Sequence, residues 1–329
     1  MALAWGALAI SSGALLSPQT LIAARVEGFA ARKKIAALPS GPVAYLDEGE
    51  GPPLVLLHGC PFSAVEWEPV LQTFSQHFRV IAPDLRGLGD TPVRLDDDYR
   101  LPTDVTMVRE LLASLGVTQA SFVAHDHGAA VLQLLTAEAP QLVDRAVISN
   151  AEAYDAWPSA PELPYLRLIV NPVTSPIAYL ALQLEAVRRE VFSIAVFDQA
   201  TLSSTLLAEF TEPHVATPAR WQRLRRFYRW QLDPEHQTLT LAAVPALRRF
   251  DRPVLLIWGA RDTNFDTQVA SRLAHDLSGT QGIVLLNHSS HLPMVEQPVE
   301  FARAASDFLT RGSVSTEAVA ALAKSRGLR

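Results

Sequence analysis

Residues Ala120-Ser121-Phe122-Val123-Ala124-His125-Asp126-His127-Gly128-Ala129-Ala130-Val131 decide how the chain is read. An apolar run of strand length ends in one acidic residue, and a helix-forming stretch then opens on small side chains. This is the pattern small-x-nucleophile-x-Gly, which holds a nucleophile on a tight strand-to-helix turn. The corner residue here is Asp126. An attacking carboxylate forms an alkyl ester, so its electrophile is expected to be an sp3 carbon, an epoxide or a carbon–halogen centre. The plain alternative is that Asp126 only caps the following helix. Three further motifs, in the chain order a nucleophile elbow requires, favour the chemical role.

The first motif lies upstream. Pro53-Leu-Val-Leu-Leu57 reads as a strand buried on both faces and runs into His58-Gly59-Cys60-Pro61. Gly59 lets the backbone come close to a ligand. The amides of Cys60 and His127 are the candidate oxyanion hole. The second motif, Val254-Leu-Leu-Ile-Trp-Gly259-Ala-Arg-Asp262, delivers a carboxylate at the end of another apolar strand. Asp262 is the candidate partner for a histidine. Asp266 is the runner-up and fits a helix N-cap for 267–277 better. The third motif, at residues 282–298, offers His288 and His291. His291, which precedes Leu292-Pro293, is the candidate general base; His288 reads as a loop residue.

With nucleophile, acid and histidine in that order, the chain resembles an α/β-hydrolase fold enzyme of the branch that holds epoxide hydrolases and haloalkane dehalogenases. The likeness rests on His58-Gly59-Cys60-Pro61, Ala82-Pro-Asp-Leu-Arg-Gly-Leu-Gly-Asp90, His125-Asp126-His127-Gly128, Trp258-Gly259 with Asp262, and His291 with Pro293, and covers about residues 40–311. It implies an α/β fold with a mainly parallel central sheet flanked by helices, and an inserted helical cap. It implies Asp126 as nucleophile, His291 as base and Asp262 as its orienting acid, with no metal and no organic cofactor.

The match is uneven at the substrate. Dehalogenases of the branch usually hold the halide with a Trp after the nucleophile and an Asn or Glu after His-Gly; here these positions are His127 and Cys60. His127 itself or Trp67 is the candidate halide donor on that reading. Arg residues near the nucleophile, which haloacid enzymes use, are missing from the expected position. Epoxide hydrolases commonly carry Phe and Trp where Cys60 and His127 stand. What favours an epoxide is the supply of cap tyrosines, because in that family two tyrosine hydroxyls protonate the developing alkoxide. Phe227-Tyr228-Arg229-Trp230 resembles the stretch with the second of these. The partner is Tyr154, Tyr165 or Tyr179, with Tyr179 favoured for its place in 176–184. Trp67 and Tyr154 are the further substrate-contact candidates. A receptor that keeps the fold without turnover is the reading from another class.

Composition agrees. The net charge of −6 argues against broad phosphate-backbone binding, so the expected partner is a small apolar molecule and not nucleic acid. Cys60 is the single cysteine, which leaves no disulfide framework or Cys-based metal site. Strands are expected at 43–48, 54–58, 79–84, 120–125, 145–150, 254–258 and 283–286, alternating with helices, as in a parallel sheet covered on both faces. The expected division is an N-terminal hydrophobic segment at 1–36, the core at 37–150 and 251–312, the cap at 151–250 and a tail at 313–329. Ala2 to Ala24 carries no charge and Arg25, Arg32, Lys33 and Lys34 follow. That pattern favours a membrane-associating helix over an export signal or an extra covering helix. Membrane-associated and cytoplasmic placement both stay open, secretion is not excluded, and a monomer or homodimer is expected. The tail is expected to form a short exposed helix with Val319, Leu322 and Ala323 on one face.

Overall fold

β5 (Ala120–His125) lies at the centre of an eight-stranded sheet in the computed structural model, which describes residues 28–325. The other strands are β1 (Lys34–Leu38), β2 (Gly41–Glu48), β3 (Pro53–Leu57), β4 (Arg79–Pro83), β6 (Val143–Ala151), β7 (Val254–Gly259) and β8 (Thr280–Leu286). Their order is β1-β2-β4-β3-β5-β6-β7-β8. β2 runs antiparallel to both β1 and β4, and the remaining pairs are parallel. The apolar runs need no alternation because each face of the sheet has its own core. Val55, Leu57, Phe122 and Ala124 enter one cluster, while Leu54, Leu56 and Val123 enter the other. That is the period of two expected when successive side chains leave a strand on opposite faces.

Strand ends differ from the expectations by a few residues, and one strand was not anticipated. Lys34–Leu38 pairs with β2 from Lys34↔Tyr45 to Leu38↔Gly41, so the sheet takes in residues assigned to the N-terminal segment. Arg32 and Lys33, expected as charges flanking a membrane helix, are tied to the core instead. Arg32 pairs with Glu48 at 2.7 Å and Glu68 at 2.9 Å. The Lys33 ammonium is buried between Asp84 at 2.6 Å and Asp90 at 2.9 Å. Asp84 also accepts the amides of Ala64 and Asp90, which is the task of the Ala82–Asp90 motif: it locks the loops around the site. The expected membrane-associating segment otherwise lies outside the described residues. Among those described, no helix is long and apolar enough to cross a membrane.

Between β6 and β7 the chain builds the cap from the helices Leu163–Val170, Ser175–Ala181, Glu185–Phe192, Ser204–Val215, Pro218–Gln231 and Pro234–Leu247. Several open on a side-chain cap, with Ser203, Thr217 and Asp233 accepting amides of the first turn. The tail helix Thr316–Ser325 is not a free appendage. It packs along β8, where Gly282 leaves room for it, since a Cβ there would lie 2.6 Å from Val314 and 3.1 Å from Ala318. Ala318 is buried there, while Val319 is 48% exposed.

Candidate active site

The elbow is shaped by backbone. Asp126 has φ 49°, a left-handed conformation that an ordinary residue adopts only when its surroundings impose it. The helix Asp126–Glu138 starts there, and its third residue must be small. A Cβ on Gly128 would sit 2.4 Å from the Leu57 carbonyl oxygen and 2.6 Å from that of His58. The Gly128 amide donates to that His58 carbonyl at 3.0 Å, which fixes the β3 loop against the elbow. Gly59 is constrained from the other side, because a Cβ there would lie 2.7 Å from that of Asp126. The loop thus comes close enough for the Cys60 amide to donate to Asp126 Oδ1 at 2.6 Å. His58 holds the loop through Nδ1, which meets the Gly59 carbonyl at 2.7 Å, and through Nε2, which accepts the Leu85 amide at 2.9 Å.

The structure brings the three spaced motifs to one point. His291 Nδ1 lies 3.0 Å from Asp262 Oδ2, and its Nε2 lies 3.5 Å from Asp126 Oδ2. All three side chains are buried. Burial works against charge on Asp126, but the hydrogen bond and charge of His291, with the Cys60 amide, hold its carboxyl down at about 2. Burial likewise opposes the His291 imidazolium, yet the two flanking carboxylates raise its pKa well above the ordinary histidine value. Asp262 is surrounded by donors, accepting Asn150 Nδ2 at 2.6 Å and the Asn264 amide at 2.7 Å besides His291. Asn150, at the end of β6 with φ 39°, also accepts the Gly259 amide, so it ties the acid loop to the sheet. Sequence reasoning missed it, because β6 carries Asp144, Arg145 and Ser149 as well and Asn150 does not stand out among them. Asp266 takes the bland role, capping the next helix through the Gln268 amide.

Above Asp126 a pocket lies between the cap and the core. Most of its wall is aliphatic or Phe. Its polar groups include Cys60 and His291 on the core side and Glu162, Tyr165 and Tyr228 on the cap side. The Tyr228 hydroxyl is paired with the Cys60 thiol, and burial first, then the neighbouring ionisable groups, keep it far from deprotonation. Burial also pushes the Cys60 thiol up, so it is a poor nucleophile. Glu162 was not anticipated, because one acidic residue in a Pro-punctuated cap segment looks like solvated surface. Burial, and then the charge of Asp126, push its carboxyl up to about 8.

Four expected substrate contacts lie elsewhere. The Tyr179 ring packs 5.6 Å from Trp221 inside the cap and does not reach the cavity; Tyr165 does. Tyr154 turns away because its hydroxyl donates to Asp276 at 3.1 Å and its ring lies 3.8 Å under Arg272. Trp67 is fully buried beside Phe301 in the core cluster on the other face of the sheet. The His127 side chain also points away from the cavity, so it is not placed to hold a halide. It meets Glu152 Oε2 at 3.0 Å and Asp104 at 3.7 Å, with Gln231 and His236 from the cap closing the group. Burial opposes its charge, but Glu152 and Asp104 raise it to about 10. His127, Glu152 and His236 have the donor types of a metal site, but their atoms hydrogen-bond one another.

Comparison with known proteins agrees with this geometry. The model of the alpha/beta hydrolase fold family matches residues 52–298, and the chain belongs to that family. A soluble epoxide hydrolase of Corynebacterium sp. is 42% identical over 106 residues, which cover 32% of this chain and 36% of that protein. The match thus spans about a third of that relative. Haloalkane dehalogenase 2 of Mycobacterium bovis is 26% identical over 239 residues, or 68% of this chain and 76% of that one. The crystal structure of a haloalkane dehalogenase from Bradyrhizobium elkani superposes with a TM-score of 0.71 at 22% identity, covering 85% and 97% of the two chains. At that identity the likeness speaks for the fold alone.

Proposed function

We propose that this protein opens epoxides to vicinal diols through an alkyl ester on Asp126. The observation that carries the reading is the pairing of an ionised carboxylate on the elbow with un-ionised hydrogen-bond donors across an apolar cavity. Asp126 attacks a ring carbon as the carbon–oxygen bond breaks, and Tyr228 supports the oxygen that leaves. Esterification removes the charge of Asp126 and with it one of the two carboxylates that favour a charged His291. The imidazolium therefore gives up its proton to solvent more readily once the ester exists, which leaves the neutral ring free to act as base. His291 then draws a proton from water, and the hydroxide attacks the ester carbonyl. Asp262 holds the imidazole by Nδ1, and the amides of Cys60 and His127 receive the oxyanion.

The likeness to epoxide hydrolases and dehalogenases supports the branch, and the cavity supports the epoxide within it. No tryptophan lines the cavity among the described residues, so no indole N–H is offered to a halide. The test is intact-mass analysis of His291→Ala, incubated separately with styrene oxide and 1-bromobutane. A gain equal to the whole epoxide, mapped to Asp126, is the expected result. A gain of only the butyl group would turn the assignment to a dehalogenase. No adduct from either would remove Asp126 as nucleophile and favour a binding role.

A further inference from the structure

Glu162 immediately precedes the cap helix Leu163–Val170 and faces the cavity that Cys60, Tyr228 and His291 also line. Ser159, itself buried, donates its hydroxyl to Glu162 Oε2 at 2.7 Å, which leaves Oε1 for a proton. Leu166, Ile169, Phe192 and Leu224 make the surrounding wall apolar, and the charge of His291, which favours ionisation of Glu162, is engaged by Asp262 at 3.0 Å and Asp126 at 3.5 Å. Two carboxyl groups facing one apolar space do not both ionise readily. Here the competition is unequal. Asp126 has an amide at 2.6 Å and an imidazole to support its charge, whereas Glu162 has a hydroxyl. Asp126 therefore carries the charge and Glu162 keeps the proton.

We propose that Glu162 is a catalytic acid that protonates the oxygen released when Asp126 opens the ring, acting beside Tyr228. The assignment rests on the epoxide reading above. As the Asp126 oxygen bonds to carbon and the ring carbon–oxygen bond breaks, the Glu162 proton passes to the oxygen that leaves. Glu162 becomes a carboxylate at the moment Asp126 ceases to be one, so the cavity holds one negative charge throughout. In the second half, water gives hydroxide to the ester carbonyl carbon and a proton to His291. The tetrahedral adduct expels the glycol oxygen, which takes that proton. The carboxylic proton left on Asp126 returns to Glu162, and both groups are reset.

The rival donor is Tyr165, three residues on and also at the cavity. The experiment follows the single-turnover rate of ester formation from styrene oxide by quenched-flow mass spectrometry in the His291→Ala background, on either side of pH 8. Removing His291 takes away a cation that favours charge on Glu162, so the basic limb is expected at or above that pH. Ester formation is expected to fall tenfold per pH unit beyond the limb. Adding Glu162→Gln is expected to slow it by about a hundredfold or more and to abolish the limb, because an amide can donate a hydrogen bond but no proton. Adding Tyr165→Phe is expected to leave the limb in place. An unchanged rate and limb with Glu162→Gln, or loss of the limb with Tyr165→Phe, overturns the assignment while the epoxide reading stands. No ester in the parent His291→Ala overturns both. Infrared difference spectra of the native enzyme against Glu162→Gln give a readout that does not depend on turnover. A protonated carboxyl band at neutral pH that vanishes in the variant is expected, and its absence sinks the idea.

Discussion

Replacing Asp262 by Asn tests the acid–histidine pair directly. The carboxylate oxygen lies 3.0 Å from His291 Nδ1, and both side chains are buried. A unit charge pair at that distance is worth about 5 kcal/mol at an effective dielectric near 20, the value suited to such sites. Each tenfold in rate corresponds to about 1.4 kcal/mol of barrier. On the proposed mechanism the imidazolium must form again while water attacks the ester, when Asp126 no longer carries a charge to support it, so most of this energy belongs to hydrolysis. Asp262→Asn also sets donor against donor. The side chain now accepts from Asn150, Asn264 and His291, and an amide has a single acceptor oxygen to offer them. Hydrolysis of the ester is expected to slow by about a thousand- to ten-thousandfold, while alkylation of Asp126 changes far less. Rapid-quench mass spectrometry separates the two, and the variant should accumulate ester in the first turnover. Native-like hydrolysis in Asp262→Asn would refute the pairing and leave the orienting role to another group.

Other outcomes follow from the packing. Gly128→Ala would drive a Cβ into two backbone carbonyls, and a loss of at least about 1–3 kcal/mol is expected in urea unfolding, with weakened ester formation. Lys33→Met leaves Asp84 buried without its cation; a cost of about 3–5 kcal/mol should appear as a large drop in Tm. The His127 cluster makes stability depend on pH in the alkaline range. Its folded pKa is raised, so its contribution is complete below the unfolded histidine value near 6.5 and is lost as pH rises through about 10. Urea midpoints measured across that window should decline in the native protein and decline less in His127→Gln. An unchanged slope in the variant would place the titration elsewhere.

The scaffold was legible because parallel strands buried on both faces leave long apolar runs, and because each catalytic candidate follows one of those runs. Asp126, Asp262 and His291 come from three strand ends, which parallel topology gathers at one edge of the sheet. Lys34–Leu38 was hidden because it is a five-residue edge strand with Ile35 exposed, and its Lys34 reads as the end of the basic run that follows the charge-free segment. The cap was legible as a region but not residue by residue. Its short helices divide their buried residues between two clusters, so the spacing around Tyr154, Tyr165 and Tyr179 does not say which ring turns inward. Tyr154 was drawn off by Asp276 and Arg272, partners more than a hundred residues away. Glu162 is informative for the same reason: its chemistry comes from Asp126 across a cavity, not from its sequence neighbours.

His127 joins two parts of the molecule that are usually thought of separately. Its backbone belongs to the turn that carries the nucleophile, and its imidazole is bound up with Gln231 and His236 from the roof. Roof and elbow turn are therefore one mechanical piece. A cap transplanted from a relative to change substrate range would bring its own underside to residue 127. Unless that underside matched the imidazole and Glu152, the graft would disturb the chemistry even where every group lining the new cavity was well chosen. The engineering unit in this protein is the cap together with residue 127.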